Sequence, residues 1–115
     1  PYAIGSNGPH RKMEITLGRC RLAGRFSGRT FSREDVANPK PAPDVYLLAA
    51  TKAGIAPRNC VVIEDSAIGA RAGVTAGMMV LGFTRDTPAI KFSGITDVLF
   101  EDMADLPTLL GIKTK

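Results

Sequence analysis

The chain has 115 residues, with fifteen Lys/Arg against eleven Asp/Glu, a formal net charge of +4, an apolar fraction of 44% and a charged fraction of 23%. That is room for one domain with a buried core, in the composition of an ordinary globular protein. No apolar run nears the roughly 20 residues that span a bilayer, and no charged-then-apolar leader opens the sequence, so a cytoplasmic protein without a membrane partner is expected. Residues 1–40 hold eight Lys/Arg against three acids, and residues 41–115 hold seven against eight. A basic front half could attract nucleic acid or an anionic substrate. Arg19, Arg21, Arg25, Arg29 and Arg33 have no interleaved aromatics, however, so a solvated face and no nucleic-acid partner are expected. Cys20 and Cys60 lie in apolar-patterned segments without metal-ligand spacing, which suits free, buried thiols.

In chain order, residues 1–5 (PYAIG) look like the end of a strand that delivers Ser6-Asn7-Gly8. Pro9 then suits the first turn of a helix, with Met13, Leu17 and Cys20 at core-facing spacing until Gly24 stops it. A hydroxyl and an amide between a strand end and a helix N-terminus can bind an anion, although simple capping explains the same residues. Residues 25–37 read as a loop with one short strand around Thr30 and Phe31. In Asn38-Pro39-Lys40-Pro41-Ala42-Pro43-Asp44, three prolines in five residues stiffen the backbone around one lysine until Pro43 and Asp44 open the next helix. That helix runs from Asp44 to Ala53, where Gly54 ends it.

Residues 60–63 (CVVI) are apolar and mostly β-branched, which predicts a strand buried on both faces. The strand stops at Glu64 and Asp65, and Ser66 follows as the N-cap of a Gly/Ala-rich helix to Ala76. Its small side chains would let that helix lie close on a sheet. Two carboxylates about 4 Å apart at an effective dielectric of about 20 repel by roughly 4 kcal/mol, so one is protonated or a cation sits between them. A hard cation such as Mg²⁺ fits, since it takes one or two carboxylates and keeps sites for water and a phosphate oxygen. Solvated acids after a strand are the plainer reading. Residues 78–83 (MMVLGF) are a further buried strand, 84–88 a polar turn, 98–100 a last short strand and 103–110 a closing helix. This alternation predicts an α/β fold with a doubly wound parallel sheet.

Ile4-Gly5-Ser6-Asn7, Lys40 in KPAPD, and VVIEDSAIG (residues 61–69) followed by Ala76-Gly77-Met78 together resemble the second, third and fourth motifs of the haloacid dehalogenase superfamily. The likeness is to the branch of β-phosphoglucomutase and sugar-phosphate phosphatases, and it covers nearly the whole chain. It implies a Rossmann-like core and hydrolysis of a small phosphorylated metabolite through an aspartyl-phosphate. Ser6 would donate to the transferring phosphoryl group, with Asn7 assisting, and Lys40 would neutralise phosphate charge and hold the nucleophile. Asp65 would anchor Mg²⁺, with Glu64 direct or through water, and Ser66 would orient the acidic loop. His10 has no family role and reads as a surface residue at the helix start.

In that family the nucleophile and the general acid-base are the two aspartates of a DxD motif, and no DxD occurs in these 115 residues. The cap domain is also missing. The resemblance therefore implies that residues 1–115 are the C-terminal part of a core domain whose central strand, between the strands ending at Gly5 and Ile63, comes from the N-terminal segment or another copy. Alone, such a fragment should not turn over. A phosphomutase, or a phosphate-binding remnant without catalysis, shares the same residues. A phospho-receiver domain is disfavoured, because there the acid pair precedes the lysine.

Overall fold

The computed structural model describes residues 1–112. Among these residues, five strands lie in two separate parallel sheets. In the first, β1 (Ile4–Ser6) pairs with β2 (Thr30–Ser32), with Ser6 opposite Ser32. In the second, β3 (Val61–Glu64), β4 (Met79–Phe83) and β5 (Leu99–Phe100) pair in that order. Four helices follow the predicted alternation: α1 (His10–Arg19), α2 (Asp44–Ala53), α3 (Ala67–Thr75) and the short α4 (Leu106–Leu109). The fold is α/β with parallel strand pairing throughout, as expected.

The local chemistry explains most boundaries. Gly54 closes α2 in the left-handed conformation at φ 70°, a region open to glycine at no steric cost. Ser66 caps α3 by accepting the Gly69 N–H at 3.0 Å. α1 ends at Cys20, followed by Arg21 at φ 58°, so it stops before Gly24. Cys20 is consequently exposed and Cys60 half-buried, which corrects the expectation of two buried thiols, though both are free.

α3 packs on β3 and β4, and the core lies at that contact: Val62, Ala70, Ala76, Met78, Val80 and the fully buried Phe92. Phe92 comes from a 3-10 turn, Ala89–Phe92, that carries no sequence signal beyond its apolar pair. Gly73 sets the distance, because a Cβ there would stand 2.6 Å from Val80 Cγ2. β3 differs from its reading. Val62 and Glu64 are buried, but Val61 and Ile63 remain 42% and 37% exposed, so one face of the strand is open.

The reason is the division of the sheet. β1 pairs only with β2 and β3 only with β4, which leaves each with an unpaired edge. Both strands line one cleft of about 910 Å³, whose wall is formed by Tyr46, Ala49, Ala50 and Ala53 of α2. Among the described residues no helix is long and apolar enough to cross a membrane.

The close helix-sheet contact gives a paired prediction. Gly73→Ala should destabilise by about 1–3 kcal/mol through overpacking against Val80. Gly18→Ala, where an added methyl meets nothing within 4 Å, should be neutral or stabilising by up to about 1 kcal/mol. Urea unfolding of both variants checks the contrast.

Candidate active site

The C-terminal ends of β1 and β3 carry Ser6 on one side and Glu64-Asp65 on the other, and the stiff loop between α2 and the first sheet places Lys40 between them. Its ammonium donates to the Gly5 carbonyl at 2.9 Å and to Glu64 Oε2 at 2.6 Å. The Lys40 and Glu64 side chains are only 10% and 9% exposed, so the pair is nearly out of water. Ser6, Lys40, Glu64 and Asp65 all line the same cleft.

Each side chain is held by neighbours near in space and distant in sequence. The Asn7 amide grips the Lys40 backbone at both ends, with Lys40 N–H donating to Oδ1 at 2.8 Å and Nδ2 donating to the Lys40 carbonyl at 3.3 Å. That clip uses the Asn7 side chain to fix the lysine loop. Ser6 Oγ accepts the Gly8 N–H at 2.9 Å, so its own proton is free to donate.

Glu64 and Asp65 have different surroundings. Consecutive residues leaving a strand point to opposite faces. Glu64 turns inward, where Lys40 and the Tyr46 hydroxyl both donate to Oε2 and Ser66 Oγ lies 3.4 Å from Oε1. Gly69 makes room for it: a Cβ at that position would lie 2.0 Å from Oε2. Asp65 is exposed and its carboxylate has no hydrogen bond or ion pair among the described residues, while its carbonyl accepts from Thr87 Oγ1 at 2.5 Å. The cation that the paired acids call for is thus present at Glu64 as an ammonium. No cluster of three or more His, Cys, Asp or Glu that could hold a metal occurs among the described residues. The donor set fits Mg²⁺ through Asp65, a free hard oxygen ligand, for an ion that keeps most of its waters. Glu64 Oε2 is taken by Lys40 and Tyr46, while Oε1 has only the 3.4 Å contact with Ser66 Oγ.

Tyr46 carries no signal in the motifs. Burial, then the Glu64 charge, pushes its phenol far above the ordinary value of 10.0, so it stays a donor at physiological pH. Sequence pattern gives no clue to it, because its partners Lys40 and Glu64 come from other segments of the chain. His10 is more than a surface residue, since Nε2 sits 2.6 Å from Asp35 Oδ2 and its backbone N–H donates to Glu34 Oε1 at 2.6 Å. The buried Ser32 donates to the Gly8 carbonyl at 2.7 Å, so the Ser6–His10 loop is latched to β2.

This arrangement defines the class: an α/β protein with its polar residues gathered where parallel strands end. The chain belongs to the haloacid dehalogenase-like hydrolases, whose family model matches residues 1–77. It is 35% identical over 109 residues to 6-phosphogluconate phosphatase of Escherichia coli, covering 95% of this chain and 49% of that protein. It is 38% identical over 94 residues to hexitol phosphatase A of the same organism, covering 79% of this chain and 42% of that protein. A crystal structure of a HAD family hydrolase from Deinococcus radiodurans with bound phosphate and sodium superposes with a TM-score of 0.90 at 31% identity, over 96% of this chain and 52% of that one. The chain thus spans about half the length of these relatives.

Two predictions follow from the packing. Gly69→Ala should expel the Glu64 carboxylate and strand Lys40, costing at least about 2 kcal/mol of unfolding free energy by denaturant titration. The Asp35 carboxyl sits below its ordinary 3.8, mainly because the Ser32 N–H donates to it and further because of His10. A depressed carboxylate stabilises above the unfolded value and loses that contribution as pH falls through the folded one. The Asp35 contacts with Ser32 and His10 should therefore hold from neutral pH down to about 4 and weaken as pH falls further. A falling protection factor at the Ser32 amide would report this, and Asp35→Asn should abolish that fall.

Proposed function

We propose that this chain is the C-terminal part of a Mg²⁺-dependent phosphatase acting on small phosphate monoesters, with sugar phosphates the favoured class. The observation that carries the reading is the meeting of Ser6, Lys40, Glu64 and Asp65 in one cleft, with the buried lysine joining two strand ends. The relatives that hydrolyse sugar acid and hexitol phosphates, by their names, support the substrate class.

In this reading both aspartates of the DxD motif lie outside the 115 residues. The first takes the phosphoryl group as the ester P–O bond breaks, and the second protonates the leaving alcohol and then deprotonates the water that hydrolyses the aspartyl-phosphate. Ser6 Oγ donates to the phosphoryl group. Lys40 has three N–H bonds, of which two are engaged, and the third meets a phosphate oxygen in a cleft where charge is poorly screened. Asp65 would hold Mg²⁺, which when bound neutralises charge on the phosphoryl oxygens. Glu64 fixes the lysine, and Ser66 fixes the turn that presents Asp65.

The strand that pairs with both free edges, of β1 and β3, comes from a segment N-terminal to this chain. A second copy is the alternative, and sedimentation of the full-length protein distinguishes them, since a monomer excludes it.

Full-length protein should release phosphate from sugar phosphates only with Mg²⁺. Asp65→Asn should lower turnover more than about tenfold and weaken Mg²⁺ dependence. Residues 1–115 alone should release none. Metal-independent turnover, or turnover by the isolated chain, would overturn the assignment.

A further inference from the structure

Tyr46 touches Lys40, Glu64 and Gly5 and belongs to none of the motifs of the site. Its hydroxyl donates to Glu64 Oε2, the same oxygen that receives Lys40. Its ring lies under the ammonium, 4.7 Å from Lys40 Nζ to the centroid. The ring edge also abuts β1, where a Cβ on Gly5 would come within 3.0 Å of Tyr46 Cε1. One side chain on α2 therefore reaches the lysine loop, the acidic strand and the strand before Ser6.

Geometry gives these contacts a purpose. The terminal torsion of a glutamate is soft, with a broad energy profile. Ser66 is 3.4 Å from Oε1 and restrains it weakly, so Lys40 alone would leave the carboxylate free to turn. Lysine carries about 2 kcal/mol of rotamer entropy along its stem, and an ammonium whose acceptor turns would point in several directions. A second donor on Oε2 fixes the carboxylate plane. The aromatic face adds an attraction of about 0.5–2 kcal/mol for a cation in a partly desolvated site.

We infer that Tyr46 is the positioning residue of this site: its hydroxyl locks Glu64 and its ring supports Lys40, so that the free N–H of the lysine is held toward a phosphate oxygen. Only the last step rests on the phosphatase reading. The locking of Lys40 stands on the contacts themselves.

Tyr46→Phe tests it, because the ring and its packing on Gly5 stay while the hydroxyl goes. In the full-length protein with a sugar phosphate, kcat should fall about tenfold, the rate equivalent of one hydrogen bond to a charged group, while KM changes less than about twofold. In a Glu64→Gln background the same change should alter kcat by less than about twofold, since the hydroxyl acts through Glu64. Unchanged kcat in Tyr46→Phe, or losses that simply multiply in the double variant, would overturn the inference.

A second measurement needs no turnover. Labelling with an amine-reactive reagent, followed by peptide mass analysis, should modify Lys40 more slowly than the exposed Lys52 in the wild type. Tyr46→Phe should speed Lys40 labelling by about threefold or more, as a loosened ion pair opens to solvent. Equal Lys40 rates in the two proteins would overturn the positioning role whatever the activity. Absent turnover in the wild type together with the predicted labelling change would instead retire the phosphatase reading and leave the role of Tyr46 in place.

Discussion

The ion pair between Lys40 and Glu64 joins the two halves of the molecule. It bridges strands that share no backbone hydrogen bond, and its members are nearly excluded from solvent. Removing one partner of such a pair typically costs about 3–5 kcal/mol, yet an apolar replacement of both is often neutral. Stability alone therefore does not explain a charge in this place. What the pair supplies is direction: an ammonium aimed along the ends of two parallel strands. The proline-rich loop, the Asn7 clip, the space above Gly69 and the Ser66 cap all limit the same few torsions.

Much of this was legible in the sequence, because the signals are local. Gly54, Ser66 and Pro43-Asp44 mark helix ends through backbone geometry that any fold would respect. The apolar run before Glu64 and the one in residues 78–83 mark strands. The three motifs, taken in order, pointed to the family. What local pattern could not supply was partnership. Glu64 and Asp65 look equivalent as letters, but strand alternation sends one into the interior beside an ammonium and the other into water. Tyr46 appears as one apolar position on an amphipathic helix until the strand it faces is known. Cys20 fits a core-facing period that ends when the chain turns left-handed at Arg21.

The open face of β3 has the same origin. A run of β-branched residues reports that a strand is made to be covered, but not whether its neighbour is within the same 115 residues. Val61 and Ile63 keep about two-fifths of their surface in a cleft walled by α2, and β1 looks onto that cleft from the other side. The motifs describe a site without its nucleophile, and the pairing describes a sheet in two parts. Both descriptions agree with a chain that spans about half the length of its relatives.

The small residues of α3 have a consequence for the order of folding. Gly69, Ala70, Ala72 and Gly73 let the helix settle onto β3 and β4, yet each glycine lowers its intrinsic helicity by about 1 kcal/mol relative to alanine. A nine-residue segment so weakened cannot nucleate unaided. It condenses only as the strands on either side of it in sequence come together, so the acidic turn that Ser66 caps takes shape late, on a platform already assembled.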